Sequence, residues 1–65
     1  MQSHEARPGI SVCVLKSFRN PELEGLLGTI RNCFGDAKYP TLDVQLEDGR
    51  LELFLIHQVE RIGGR

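Results

Sequence analysis

The chain has no tryptophan, one tyrosine, one methionine and only two cysteines in 65 residues. Two cysteines allow at most one internal bridge, a thin framework for a small secreted domain. Cys13 and Cys33 are therefore expected as reduced thiols on or near strands, in keeping with the usual burial of free cysteine, and the chain as cytoplasmic. An excess of charge of either sign is also missing. Eight Lys and Arg against nine Asp and Glu leave a net charge of −1, so no long-range field draws the molecule to phosphate or to an anionic membrane. Nucleic acid is accordingly a disfavoured partner. No apolar run approaches the length of about 20 residues that spans a bilayer. The opening MQSHEARPG lacks the apolar core of a signal or anchor, so no membrane insertion is expected.

What is present is a set of short alternating segments separated by turn residues. A domain of this size buries only about 60% of the surface that its unfolded chain exposes, and self-association is one of the usual supplements to so small a core. After a polar tail over residues 1–7, Pro8-Gly9 marks a turn. Ile10, Val12 and Val14 then alternate with Ser11, Cys13 and Leu15, the period-2 pattern of a first strand. Residues 16–24 form a long loop, with Asn20-Pro21 blocking ladder pairing and one helical turn expected near Pro21 to Gly25. Residues 25–33 read as a second strand entered through a bend, with Gly28 a point of close backbone approach or bulging. Residues 34–40 form the next loop.

Thr41 to Glu47 alternates cleanly, with Leu42, Val44 and Leu46 on one side and Asp43, Gln45 and Glu47 on the other, as a half-solvated antiparallel strand does. Asp48-Gly49 suits a type I′ hairpin turn. The fourth strand is different, because Leu51, Leu53 and Leu55 share one face while Glu52, Phe54 and Ile56 share the other. Whichever face turns inward, apolar surface is left to cover, and such patches on soluble monomers mark interfaces. His57 to Ile62 fits a short turn and a last strand with Val59 and Ile62 available to the core, and residues 63–65 should fray. Five short strands without a helix-length periodic segment predict an all-β, five-stranded SH3-like barrel over residues 8–62, with a long first loop and a short 3-10 turn before the last strand. The competing architecture, an oligonucleotide-binding barrel, places a helix where this chain has a tight turn.

Pro8-Gly9 before Val12-x-Val14, the glycine-bounded Gly28-Thr29-Ile30, Asp48-Gly49 with Leu55 beyond it, and the closing Gln58-Val59-Glu60-Arg61-Ile62 together resemble the small SH3-like electron-transport accessory proteins. That group includes the photosystem I subunit PsaE, the variable chain of ferredoxin-thioredoxin reductase, a nitrile hydratase β-subunit domain and the type II dihydrofolate reductases. The likeness to PsaE is carried by Lys38-Tyr39-Pro40 and by His57 to Glu60. It implies a non-catalytic module that docks acidic electron carriers through basic residues, which here are scattered at Lys16, Arg19, Arg31, Lys38 and Arg50. The likeness to the type II reductases lies in Val59-Glu60-Arg61-Ile62 and implies a pore-forming oligomer. Leu51-Glu52-Leu53-Phe54 departs from that family's Val-Gln-Ile-Tyr pore strand. Four symmetry-related Glu52 carboxylates would repel the negatively charged ligands, and Phe54 has no hydroxyl.

No catalytic, cofactor-binding or metal-binding residue is assigned. His57 lies near Gln58 and Glu60, but a base needs a nucleophile within hydrogen-bond reach, and an exposed turn histidine is the simpler reading. His4, Cys13, Cys33 and His57 match no zinc-ligand spacing. Glu47, Asp48 and Glu52 near the hairpin, with Glu22 and Glu24 on the long loop, read first as solvated turn chemistry and second as an acidic rim. Gly28-Thr29-Ile30 faintly resembles the glycine-centred RNA-binding loop of ribosomal barrels, and Phe34 and Tyr39 could stack on bases, yet no basic cluster accompanies them. The expected function is a non-enzymatic interaction or accessory module that self-associates, or docks into a larger assembly, through strand four. Its surface would comprise Leu51, Leu53, Phe54, Leu55 and Ile56, with Glu52 and His57 at the edge. A pore enzyme or small-molecule binder and a nucleic-acid-binding barrel are the alternatives.

Overall fold

The alternation of Val12 and Val14 with Ser11 and Cys13 builds the first strand of the computed structural model, β1 (Ser11–Val14), which buries both valines and turns Ser11 to solvent. The structure describes residues 6–17, 20–35 and 40–62. The remaining strands are β2 (Leu27–Phe34), β3 (Thr41–Leu46), β4 (Leu51–Leu55) and β5 (Val59–Arg61). All neighbours pair antiparallel in one sheet of order β4-β3-β2-β1-β5. The all-β expectation is met, and both 3-10 turns fall where expected, at Pro21–Leu23 and at Ile56–Gln58. Of the tail expected over residues 1–7, residues 1–5 lie outside the described residues, as does the end expected to fray over 63–65. Ala6 and Arg7 are tied down, since Ala6 packs on the core and the Ile10 N–H donates to the Arg7 carbonyl at 3.2 Å.

The core consists of Val12, Val14, Leu23, Ile30, Leu42, Val44, Leu46, Phe54 and Val59. Leu23 enters it from the long β1–β2 loop. Pro21 supplies a preset φ for the short turn, and the loop is fastened by the Ser17 N–H to Glu24 Oε2 at 3.2 Å and the Asn20 N–H to Ser17 Oγ at 3.2 Å. Ser17 is buried and these bonds involve both its amide and its hydroxyl, as a buried polar group requires.

Strand β2 begins at Leu27 rather than Gly25, because Gly25 holds φ +88° at the end of the preceding turn. It also runs through Phe34, which the sequence pattern assigns to a loop. The reason is a register shift between Ile30 and Asn32. The extra residue, Arg31, reverses the inward and outward phase of everything after it. Phe34 thus sits opposite Thr41 and remains 49% exposed. Gly28 is the point of close approach: a Cβ there would lie 2.7 Å from Val44 Cγ1 and 2.9 Å from the Gln45 carbonyl oxygen.

The β3–β4 hairpin is not the type I′ turn expected from Asp48-Gly49. No non-glycine residue among those described has positive φ, whereas Gly49 has φ +95°. The Gly49 N–H donates to the Leu46 carbonyl at 2.9 Å, and the Leu46 N–H donates to the Arg50 carbonyl at 2.7 Å. These are the marks of a three-residue loop in which an ordinary turn over Glu47 and Asp48 is followed by a left-handed glycine. Asp48 accepts from the Arg50 N–H at 3.0 Å and from Arg50 Nε at 2.8 Å. Those two contacts, the backbone one first, hold its carboxyl below the usual aspartate range.

The two outermost strands of the sheet, β4 and β5, are separated by only Ile56–Gln58. In a flat sheet they would lie four spacings apart, about 19 Å. The four Cα steps from Leu55 to Val59 reach about 14 Å at most. The sheet therefore curls, drawing its two edges towards each other at this corner.

Candidate functional site

Among the described residues, strand β4 is paired on one side, through Thr41↔Leu55, Leu42↔Phe54, Asp43↔Leu53, Val44↔Glu52 and Gln45↔Leu51. Because side chains alternate along a strand, this register sends Phe54 inward over Leu42, where it is 3% exposed. Leu51, Leu53 and Leu55 face outward and are 57%, 61% and 41% exposed. The seven residues singled out from the sequence thus divide. Three leucines form one outer row; Phe54 belongs to the core and leaves the surface set; Glu52 and Ile56 are half-buried; His57 is exposed in the 3-10 turn.

The outer row carries no charge. Its neighbours on β3 are Thr41, Asp43 and Gln45, and across Thr41 the exposed ring of Phe34 extends the apolar surface on to β2. Phe34 is the residue that sequence reasoning missed at this surface, and the bulge at Arg31 is what turns it out. An ion pair of Arg50 with Asp48 stands at the hairpin tip. At the other end of the strand the Leu55 N–H donates to Gln58 Oε1 at 2.8 Å, so the second 3-10 turn caps the edge.

An open groove of about 290 Å³ runs beside β4, lined by Ser17, Asn20 and Leu23 of the long loop and by Glu52, Phe54 and Gln58. A second depression, of about 490 Å³, lies over the outer face of β2 and β3 among Leu27, Thr29, Arg31, Gln45 and Glu47. Among the described residues no three His, Cys, Asp or Glu side chains converge as metal ligands would. His4 lies outside the described residues. Cys13 and Cys33 are both free. Cys13 stands opposite Leu27, and Cys33 lies six residues further along β2, about 20 Å away, which excludes a bridge between them. Cys33 Sγ instead donates to the Ala6 carbonyl at 2.9 Å.

Three of the acidic residues accept backbone hydrogen bonds, one of them across strands. Glu47 accepts from the Leu27 N–H at 3.4 Å, Glu24 from Ser17, and Asp48 from Arg50. Gly28-Thr29-Ile30 lies within β2 and is paired with β3 through Leu46, Gln45 and Val44, so it is not the glycine-centred loop its sequence resembles. Tyr39 lies outside the described residues. No helix among the described residues is long and apolar enough to cross a membrane.

No family model, no curated protein and no solved structure matches this chain. The site is therefore defined by its own chemistry: a small antiparallel β domain that presents an uncharged leucine row on a strand paired along one side.

Proposed function

We propose that the curled sheet is a small SH3-like barrel acting as a non-enzymatic interaction module, and that it self-associates through β4. The strand order β4-β3-β2-β1-β5 and the 3-10 turn between its edge strands support the barrel reading. The observation that carries the functional reading is the outward leucine row on an edge strand. Covering one such side chain fully contributes about 1.5–3 kcal/mol, and a domain this small has few other sources of stability. A second copy supplies the same apolar row, so one surface serves both partners in a two-fold arrangement.

The pore-enzyme alternative has less to rest on. Phe54, at the position where that family's pore strand ends in tyrosine, is packed in the core, and the half-buried Glu52 brings negative charge to the same strand. Static light scattering across a concentration series tests the module reading, with a rise from monomer to dimer mass expected. A mass that stays monomeric at high micromolar concentration would overturn it.

A further inference from the structure

Resting on the reading of β4 as the self-associating strand, we infer that two copies join edge to edge. Their β4 strands pair antiparallel with Leu53 opposite Leu53 of the second copy. The direction of the backbone groups on β4 leads to this arrangement. The Leu46 N–H donates to the Arg50 carbonyl and the Ile56 N–H to the Pro40 carbonyl, at 2.7 and 3.3 Å. In an antiparallel ladder such hydrogen-bonded pairs recur at every second residue. Between those two pairs fall Val44↔Glu52 and Leu42↔Phe54, so Glu52 and Phe54 turn their backbone groups towards β3. Leu51, Leu53 and Leu55 turn theirs away from β3, to an edge on which no other described strand pairs.

Within the strand itself that edge lacks several of the usual protections. Native edge strands are blunted by Lys, Pro, bulges or extreme shortness, and Leu51-Glu52-Leu53-Phe54-Leu55 has no Lys, no Pro and an unbroken register with β3. The opposite edge, β5, is three residues long and carries Glu60 and Arg61. Among the described residues β4 is guarded by Glu52, by the Gln58 side chain on the Leu55 N–H, and by Ser17 and Asn20 of the long loop across the groove.

The register follows from the same residues. Groups facing the edge must meet groups facing the edge, so odd-numbered residues oppose odd-numbered residues. Centring on Glu52 would put two carboxylates directly opposite each other, which destabilises a pair of strands. Centring on Phe54 would lose Leu51 from the overlap. Centring on Leu53 overlaps the whole strand, because the leucine spacing is symmetric about that residue: Leu51 meets Leu55, Leu53 meets its equivalent, and Glu52 faces Phe54. Leu53 exchanges both backbone bonds with its equivalent, and the Leu51 N–H reaches the Leu55 carbonyl of the second copy. The Leu55 N–H keeps its bond to Gln58, which ends the ladder. The occupant is thus a second copy of this chain.

Amide hydrogen exchange, read residue by residue by NMR on the unmodified chain across a dilution series, tests this alongside sedimentation of the same samples. As dimer forms, the Leu51 and Leu53 amides should slow by about tenfold or more, while the Leu55 amide, already bonded, should change little. Dimer formation with Leu51 and Leu53 still exchanging at their dilute rates would overturn edge pairing and leave self-association standing. No dimer at any concentration would overturn both.

Discussion

Replacing Leu53 by glutamate separates association from folding, because this side chain is the most exposed of the leucine row. It is 61% exposed in the isolated chain. Full burial of a leucine contributes about 1.5–3 kcal/mol, but edge pairing sets the two Leu53 side chains side by side on one face and covers only part of each, about 0.5–1 kcal/mol, or about 1–2 kcal/mol for both. In the edge-to-edge register the substitution also sets two carboxylates near a backbone spacing of about 5.5 Å. Their repulsion at an effective dielectric of about 20–80 is about 1–3 kcal/mol. Leu53→Glu should therefore weaken the dimer by about 2–5 kcal/mol, which is at least about twentyfold in Kd at about 1.4 kcal/mol per tenfold. The fold should hold, since substitutions at exposed positions change stability by about 0.5 kcal/mol or less. Sedimentation equilibrium gives the first quantity, and urea unfolding under dilute conditions gives the second. A Kd changed by less than about tenfold in a folded variant would refute the reasoning.

Other expectations concern the scaffold. Gly28→Ala should cost about 1–3 kcal/mol by overpacking, because one of the atoms its Cβ meets is the Gln45 backbone oxygen, which cannot swing aside; a lowered urea midpoint reads this. Leu23→Ala removes the side chain that pins the long loop and should cost about 2–5 kcal/mol in the same assay. Asp48 has a folded-state carboxyl pKa depressed below 3.8 by Arg50, so its contribution to stability is present above that value and is lost as pH falls through the lower, folded-state value. Asp48→Asn should flatten the acid limb of a urea-midpoint profile below about pH 4, and added salt should shrink the difference because the pair is exposed. An acid limb unchanged by the substitution would contradict that assignment.

Much of the sheet was legible in the sequence because alternation is a direct consequence of strand geometry. Val12 with Val14 and Leu42 with Val44 and Leu46 announce their faces without further information. The hairpin between β3 and β4 was also legible, but its turn type was not. Asp-Gly is compatible with more than one loop length, and only the hydrogen bonds of Leu46, Gly49 and Arg50 distinguish them. Phe34 was misplaced because nothing local marks the bulge at Arg31, whereas a single extra residue reverses the facing of all that follows. Leu23 was hidden for a different reason: its one apolar companion in the loop sequence, Phe18, stands five residues away, and two residues at that spacing set no strand period. At the candidate site the composition of β4 showed that one apolar face must be uncovered. Which face it was required Phe54 to be seen over Leu42, a long-range choice that no pattern within five residues encodes.

The central claim, that the leucine row of β4 is covered by a second copy of the same chain, is tested most directly by an isotope-filtered NOE experiment. Equal amounts of labelled and unlabelled chain are mixed at a concentration where dimer forms. The account predicts contacts between chains linking the methyl groups of Leu51, Leu53 and Leu55. Contacts that arise only from Leu15 or Leu27, or no contacts between chains at all, would contradict it.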